Sequence, residues 1–142
     1  MNAGAIGIGV GLVVGVGFLA IFNRLIRLRN QVREAWSGVD VQLKRRHDLV
    51  PMLVECVRGY RIHEQGVLER LVQSRTRAES AQGAASAGPA EQDLGGRLRD
   101  VVALAEAYPD LKSAENFMTL SRSLVEIEDH LQYARRFYNG SV

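Results

Sequence analysis

The sequence predicts an all-α protein, an N-terminal transmembrane helix continuing into an antiparallel three- or four-helix bundle. Three observations predict it. Residues Ala3 to Phe22 carry no charged or strongly polar side chain. Beyond them, apolar residues recur at spacings of three and four, the period of a helix with one buried face. No run alternates polar and apolar residues, so no sheet is expected. At 142 residues the chain suffices for one compact soluble region, residues 24–142, behind an anchor at 1–23.

The apolar run comes first. Twenty residues in a helix cover ~30 Å, the hydrocarbon thickness of a bilayer. Six of the fourteen glycines lie in it, a density that costs ~1 kcal/mol per glycine relative to alanine in a soluble helix. In lipid, small residues let a second helix approach closely. Gly7, Gly11 and Gly15 share one face and form the expected assembly surface of the span. An anchor without specific pairing is the competing reading. A cleaved signal peptide is disfavoured, because no cationic side chain precedes the run and no small-x-small site follows it.

Arg24, Arg27, Arg29 and Arg33 follow the span directly. Cationic flanks stay on the cytoplasmic side, so the expected topology is single-pass, with the N-terminus out and the bundle in the cytoplasm. The bundle is thus expected at the inner face of the membrane. The same arginines are placed to meet anionic headgroups, although a topology signal alone would explain them.

The first helix continues past the span. Leu25, Val32, Val39, Leu53 and Tyr60 share one heptad position, and Trp36, Leu43, Val50 and Val57 share its partner. Arg46 falls on this seam. Pro51 removes one backbone donor, and a kink is expected at Asp48 to Pro51, with Asp48 as a candidate cap for a new turn. A second helix is expected over 62–81, with Val67, Leu68, Leu71, Val72, Arg75 and Ala78 on one face. Residues 83–92, rich in Ala, Gly and Ser, read as a flexible loop. A third helix is expected over 90–107, carried by Leu94, Leu98, Val101 or Val102, and Leu104 or Ala105, and stopped by Tyr108-Pro109-Asp110. The fourth begins near Ser113 as N-cap, with the stripe Phe117, Leu120, Leu124, Ile127, Leu131, Ala134 and Tyr138.

Charge is divided along the chain. Residues 1–63 carry nine cations and four anions, and residues 64–142 nine cations and twelve anions. An acidic later half folding back on a basic first helix guides partner choice more than stability, since an exposed pair is worth only ~0–1 kcal/mol. The densest ionic group is Arg45, Arg46, His47 and Asp48. Because Arg46 lies on the seam, it is expected to point inward and to be paired, with Glu106, Glu126 or Glu128 as partner. A structural ionic network is the favoured reading, ahead of a ligand site or a solvated face.

Several functions are disfavoured. His63-Glu64 opens like a zinc-protease motif, but Val67 stands where the second histidine belongs. Cys56 lies beside the apolar seam and reads as a small packed residue rather than a nucleophile. No glycine-rich phosphate loop follows a strand, and the sixteen arginines are not interleaved with aromatics, so nucleic acid is not an expected partner. No catalytic residue, metal or cofactor is expected.

The string FNRLIRLRNQVREAWSGVDVQLKRRHDLVPMLVECVRGYRIHE, after an apolar span, closely resembles the LemA family. AYPDLKSAENFMTL and EIEDHLQYARRFYN resemble its other recognisable blocks. The matching positions include Asn30, Trp36, Asp40, Gln42, Arg45, Arg46, Asp48, Leu49, Pro51, Tyr60, His63 and Glu64. In the later blocks they include Tyr108, Pro109, Leu111, Phe117, Arg135, Tyr138 and Asn139. The resemblance implies a single-pass membrane protein with a helical cytoplasmic bundle and no established enzymatic activity. A magnetosome-membrane branch of that family is implicated in building membrane compartments.

The expected function is therefore a non-enzymatic, membrane-anchored helical scaffold, acting by self-assembly or by docking a partner at the cytoplasmic face. Expected partners are membrane lipid, further copies of the chain and a membrane protein. The alternative is an accessory module that binds a ligand, or binds lipid or curvature through the basic first helix.

Overall fold

The computed structural model describes residues 3–62, 64–81 and 84–142, and of residues 3–7, 10, 84 and 85 the backbone alone. Every regular element among them is a helix. They are α1 (Ala3–Gly59), α2 (Gln65–Ser80), α3 (Ala84–Glu106), α4 (Pro109–Lys112) and α5 (Glu115–Ser141). The chain divides into two compact units, Met1–Asp40 with Tyr133–Val142, and Val41–Gln132.

In the first unit, α1 is apolar and uncovered over its early turns. The described residues from Ile8 to Phe22 are all exposed. Phe18 and Phe22, one turn apart, stack with ring centroids 6.4 Å apart. The helix is long and apolar enough to cross a membrane by length and composition. Further along, Ala35 and Val39 are buried. Trp36 meets Tyr138 edge-on at 5.1 Å, a favoured aromatic geometry that ties the end of α5 to α1.

The second unit holds the core. Leu49, Val50, Leu53, Val54 and Val57 of α1 face Leu68, Leu71 and Ala78 of α2, and Leu94, Leu98, Val101 and Ala105 of α3. Leu111 of α4 and Phe117, Leu124 and Ile127 of α5 complete it. The heptad pattern is cleanest in α3, where Glu91, Leu94, Leu98, Val101 and Ala105 are all buried. Ser74 is also fully buried and returns its hydroxyl to the Leu71 carbonyl at 2.8 Å, so it packs without an unmet donor.

Four expectations are corrected. First, Asp48 caps no new turn: it lies inside α1, which runs through Pro51 without a full break. Proline 51 has no amide to donate to the His47 carbonyl four residues back. That carbonyl instead accepts from Arg75 Nε on α2 at 2.9 Å, so the rung is replaced from outside. Second, α2 is shorter than 62–81, running from Gln65 to Ser80. Arg61 adopts the left-handed region at φ 54°, a conformation that turns the chain out of the helix and that non-glycine residues enter only at a cost. Third, residues 84–92 are helical and begin α3. Four alanines in seven residues favour helix, and Pro89 is close enough to the N-terminus to remove only one rung. Gly83, also read as loop, lies outside the described residues, as do Gln82 and His63. Fourth, α5 starts at Glu115 rather than after a Ser113 cap. Ser113 Oγ donates back to the Asp110 carbonyl at 3.2 Å, and the Met118 amide bonds to the Ala114 carbonyl.

Candidate functional site

The Arg45–Asp48 group straddles the edge of the core, and helix geometry sorts its members. Arg46 is 4% exposed and His47 12%, whereas Arg45 and Asp48 face solvent. Arg45 reaches only Gln42, at 3.5 Å. Arg46 Nη1 donates to Glu91 Oε2 at 3.2 Å and to the Glu91 carbonyl at 3.3 Å. Its Nη2 pairs with Glu128 of α5. His47 Nε2 lies 2.6 Å from Glu91 Oε1, a bond that requires a proton on Nε2.

One carboxylate thus receives an arginine and a histidine from consecutive residues of α1, and one guanidinium bridges α3 and α5. Burying charges costs several kcal/mol per ion, which only close pairing offsets. Glu91 is itself 3% exposed, so its carboxylate depends on these donors. Arg46 Nε is buried without a partner among the described residues. The guanidinium also needs space on α3. A Cβ at Gly95 would stand 2.5 Å from Arg46 Nη2.

Of the anionic partners expected for Arg46, Glu128 is beside it. Glu106 pairs with Lys112, and the exposed Glu126 makes no ion pair. Glu91 escaped sequence reasoning because it lies where the stretch read as loop, 83–92, overlaps the start of the expected third helix, 90–107. Its place three residues before Leu94 and seven before Leu98, on the α3 heptad, was the available signal.

The other expected residues lie in the first unit. Arg24, Arg27, Arg29 and Arg33 are exposed and carry no ion pair among the described residues. A Cβ added at Gly11 or Gly15 meets nothing within 4 Å, so this face of the helix is open. The surroundings of Gly7 lie outside the described residues. Cys56 is half-buried at the core edge, and burial pushes its thiol up from its ordinary value, which favours the unreactive protonated form. Among the described residues no three His, Cys, Asp or Glu side chains converge as a metal site.

The family model of the LemA family matches residues 35–142, which take in the ionic cluster, the core of α1 and all of α2 to α5. The chain belongs to the LemA family. No curated protein matches it. The LemA match begins beyond the apolar span and the four flanking arginines. The clamp of Arg46, Glu91 and Glu128 lies wholly inside the matched region, and the open glycine face wholly outside it.

Proposed function

We propose that this chain is a non-enzymatic, membrane-anchored helical scaffold that works by self-assembly or by docking a partner at the cytoplasmic face of an inner or intracellular membrane. The observation that carries the reading is the contrast along α1. Its described residues from Ile8 to Phe22 are apolar and uncovered by the chain, while Leu49 to Val57 fill a core. Uncovered apolar surface of this length is covered by lipid or by another span. The unpaired arginines after it give the positive-inside signal for a cytoplasmic bundle.

The open Gly11 and Gly15 positions support close helix approach within the bilayer. A second reading, lipid or curvature binding by the basic first helix, is favoured by those same unpaired arginines. The buried ionic cluster is read as a structural clamp, since Arg46, His47, Glu91 and Glu128 pair with one another.

Carbonate extraction of membranes and light scattering of the detergent-solubilised full-length chain test the reading. The chain stays with the membrane pellet and elutes as a species larger than one copy, and Gly11→Leu shrinks it. Recovery in the soluble fraction overturns the anchor. A strictly monomeric species at all micromolar concentrations removes self-assembly.

A further inference from the structure

In the second unit, one stretch of surface combines an apolar floor with unpaired carboxylates on both sides. Met52, Glu55 and Cys56 stand on α1 at spacings of three and one, which places them on one face, and Tyr60 follows directly after the last residue of that helix, Gly59. Glu115 and Leu120 stand opposite on the first turns of α5. Together they line a groove of about 690 Å³, within the range of protein clefts that hold ligands.

The floor is made by Cys56 and Leu120, half-buried residues packed against the core. Met52 and Tyr60, each 45% exposed, extend the apolar strip to its ends. From Met52 to Gly59, the end of α1, the strip runs ~11 Å along the helix axis, about two turns. Glu55 and Glu115 flank it, both exposed and both without a cationic partner among the described residues. Other exposed acids, Glu69 and Glu126 among them, also carry no ion pair among the described residues, so what distinguishes these two is their place on either side of an apolar strip. No lysine or arginine lines the groove, in a chain with 18 of them. The first turn of α5 explains an acid at Glu115 through the helix dipole. It explains nothing at Glu55, in the interior of α1.

We propose that this groove docks a short basic amphipathic helix from a partner protein. An apolar stripe at helical spacing fills the strip, and lysines or arginines on its two flanks pair with Glu55 and Glu115. An anionic lipid headgroup would meet two carboxylates and is disfavoured by the same charges. The proposal rests on the docking half of the scaffold reading and names the chemistry of what docks.

The test uses the full chain in phosphatidylcholine nanodiscs and a fluorescent synthetic peptide of roughly three to four helical turns. The peptide is built only of leucine, at helical spacing, and lysine on both flanks. Empty nanodiscs, and a peptide with glutamate in place of lysine, are the controls. Anisotropy reports saturable binding by the loaded discs. The double variant Glu55→Lys/Glu115→Lys weakens it about tenfold or more, as expected when two attractive pairs become repulsive. Glu126→Lys, remote from the groove lining, leaves it unchanged.

Because Cys56 is the one cysteine of the chain, its maleimide labelling reports occupancy of the floor, and bound peptide slows it. Equal affinity for the double variant, or unchanged Cys56 labelling in the complex, overturns the proposal. Equal binding to empty discs assigns the signal to lipid and overturns it as well. Oligomer size, read on the same sample by light scattering, reports self-assembly separately from the groove.

Discussion

Arg75 Nε donates to the backbone carbonyl of His47 at 2.9 Å, and that carbonyl is the one Pro51 leaves without its helical donor. A side chain on α2 thereby completes the backbone of α1. The bond is charge-assisted and part-buried, in the class worth about 1.5–3 kcal/mol.

Arg75→Ala is therefore expected to destabilise the folded chain by about 1.5 kcal/mol. In a Pro51→Ala background, the restored amide takes over the His47 carbonyl and the same change costs less. The pair Arg75–Glu79, also lost, cancels between the two backgrounds. Urea unfolding of the four variants gives the coupling, expected near 1 kcal/mol. Equal costs in both backgrounds would show that Arg75 does not stand in for the missing amide.

Gly95 and Gly96 are neighbours with opposite expectations. A Cβ at Gly95 enters the space of Arg46 Nη2, and the guanidinium can retreat only by giving up Glu128. Gly95→Ala should destabilise by about 1–3 kcal/mol, as overpacking does. At Gly96 an added Cβ meets nothing within 4 Å, so Gly96→Ala should stabilise by ~0.5–1 kcal/mol through helix propensity. Thermal unfolding by circular dichroism separates the two.

Removing Glu91 strands two donors at once. Glu91→Ala should cost about 3 kcal/mol or more, because Arg46 and His47 lose a buried partner. The double variant Arg46→Met/Glu91→Met should be more stable than either single change. Glu128, at 38% exposure, remains hydrated when Arg46 is gone. A double variant as unstable as the sum of the singles would mean that the charges, rather than their pairing, hold the helices.

The Cys56 thiol is raised by desolvation. Its alkylation by iodoacetamide should therefore reach half-maximal rate at a higher pH in the folded chain than in urea. Burial favours the protonated form, so this contribution to stability is complete below the ordinary thiol value and is lost as pH rises from there through the raised value of the folded chain. Stopped-time mass spectrometry across the alkaline range measures it. Coincident folded and unfolded profiles would contradict the assignment.

The helices and most of the core were legible because their signal is periodic. Leu94, Leu98 and Val101 on α3, and Phe117, Leu124 and Ile127 on α5, announce a buried face at spacings of three and four. The inward position of Arg46 followed from its place on the seam. Glu91, Arg75 and Gly95 were not legible in the same way. Glu91 sits in small-residue sequence whose helicity comes from alanine propensity rather than from apolar spacing. Arg75 was placed on the right face of α2, but nothing local to it says that it serves the backbone of another helix. Gly95 answers a guanidinium some fifty residues earlier, and only docking reveals that its missing side chain is space in use. A break near Tyr60 followed from the second helix expected at 62–81, but not the residue that makes it, since Arg61 takes a left-handed conformation that sequence assigns to glycine or asparagine.

The Arg46 clamp also fixes alignment. Leucine and valine stripes tolerate sliding, since one apolar rung fits nearly as well as the next. A guanidinium held between carboxylates on two different helices does not. Displacing α3 or α5 by a single turn along α1 would maroon an ion in an oily setting, so mis-threaded versions of this bundle are penalised where greasy contacts alone would let them pass.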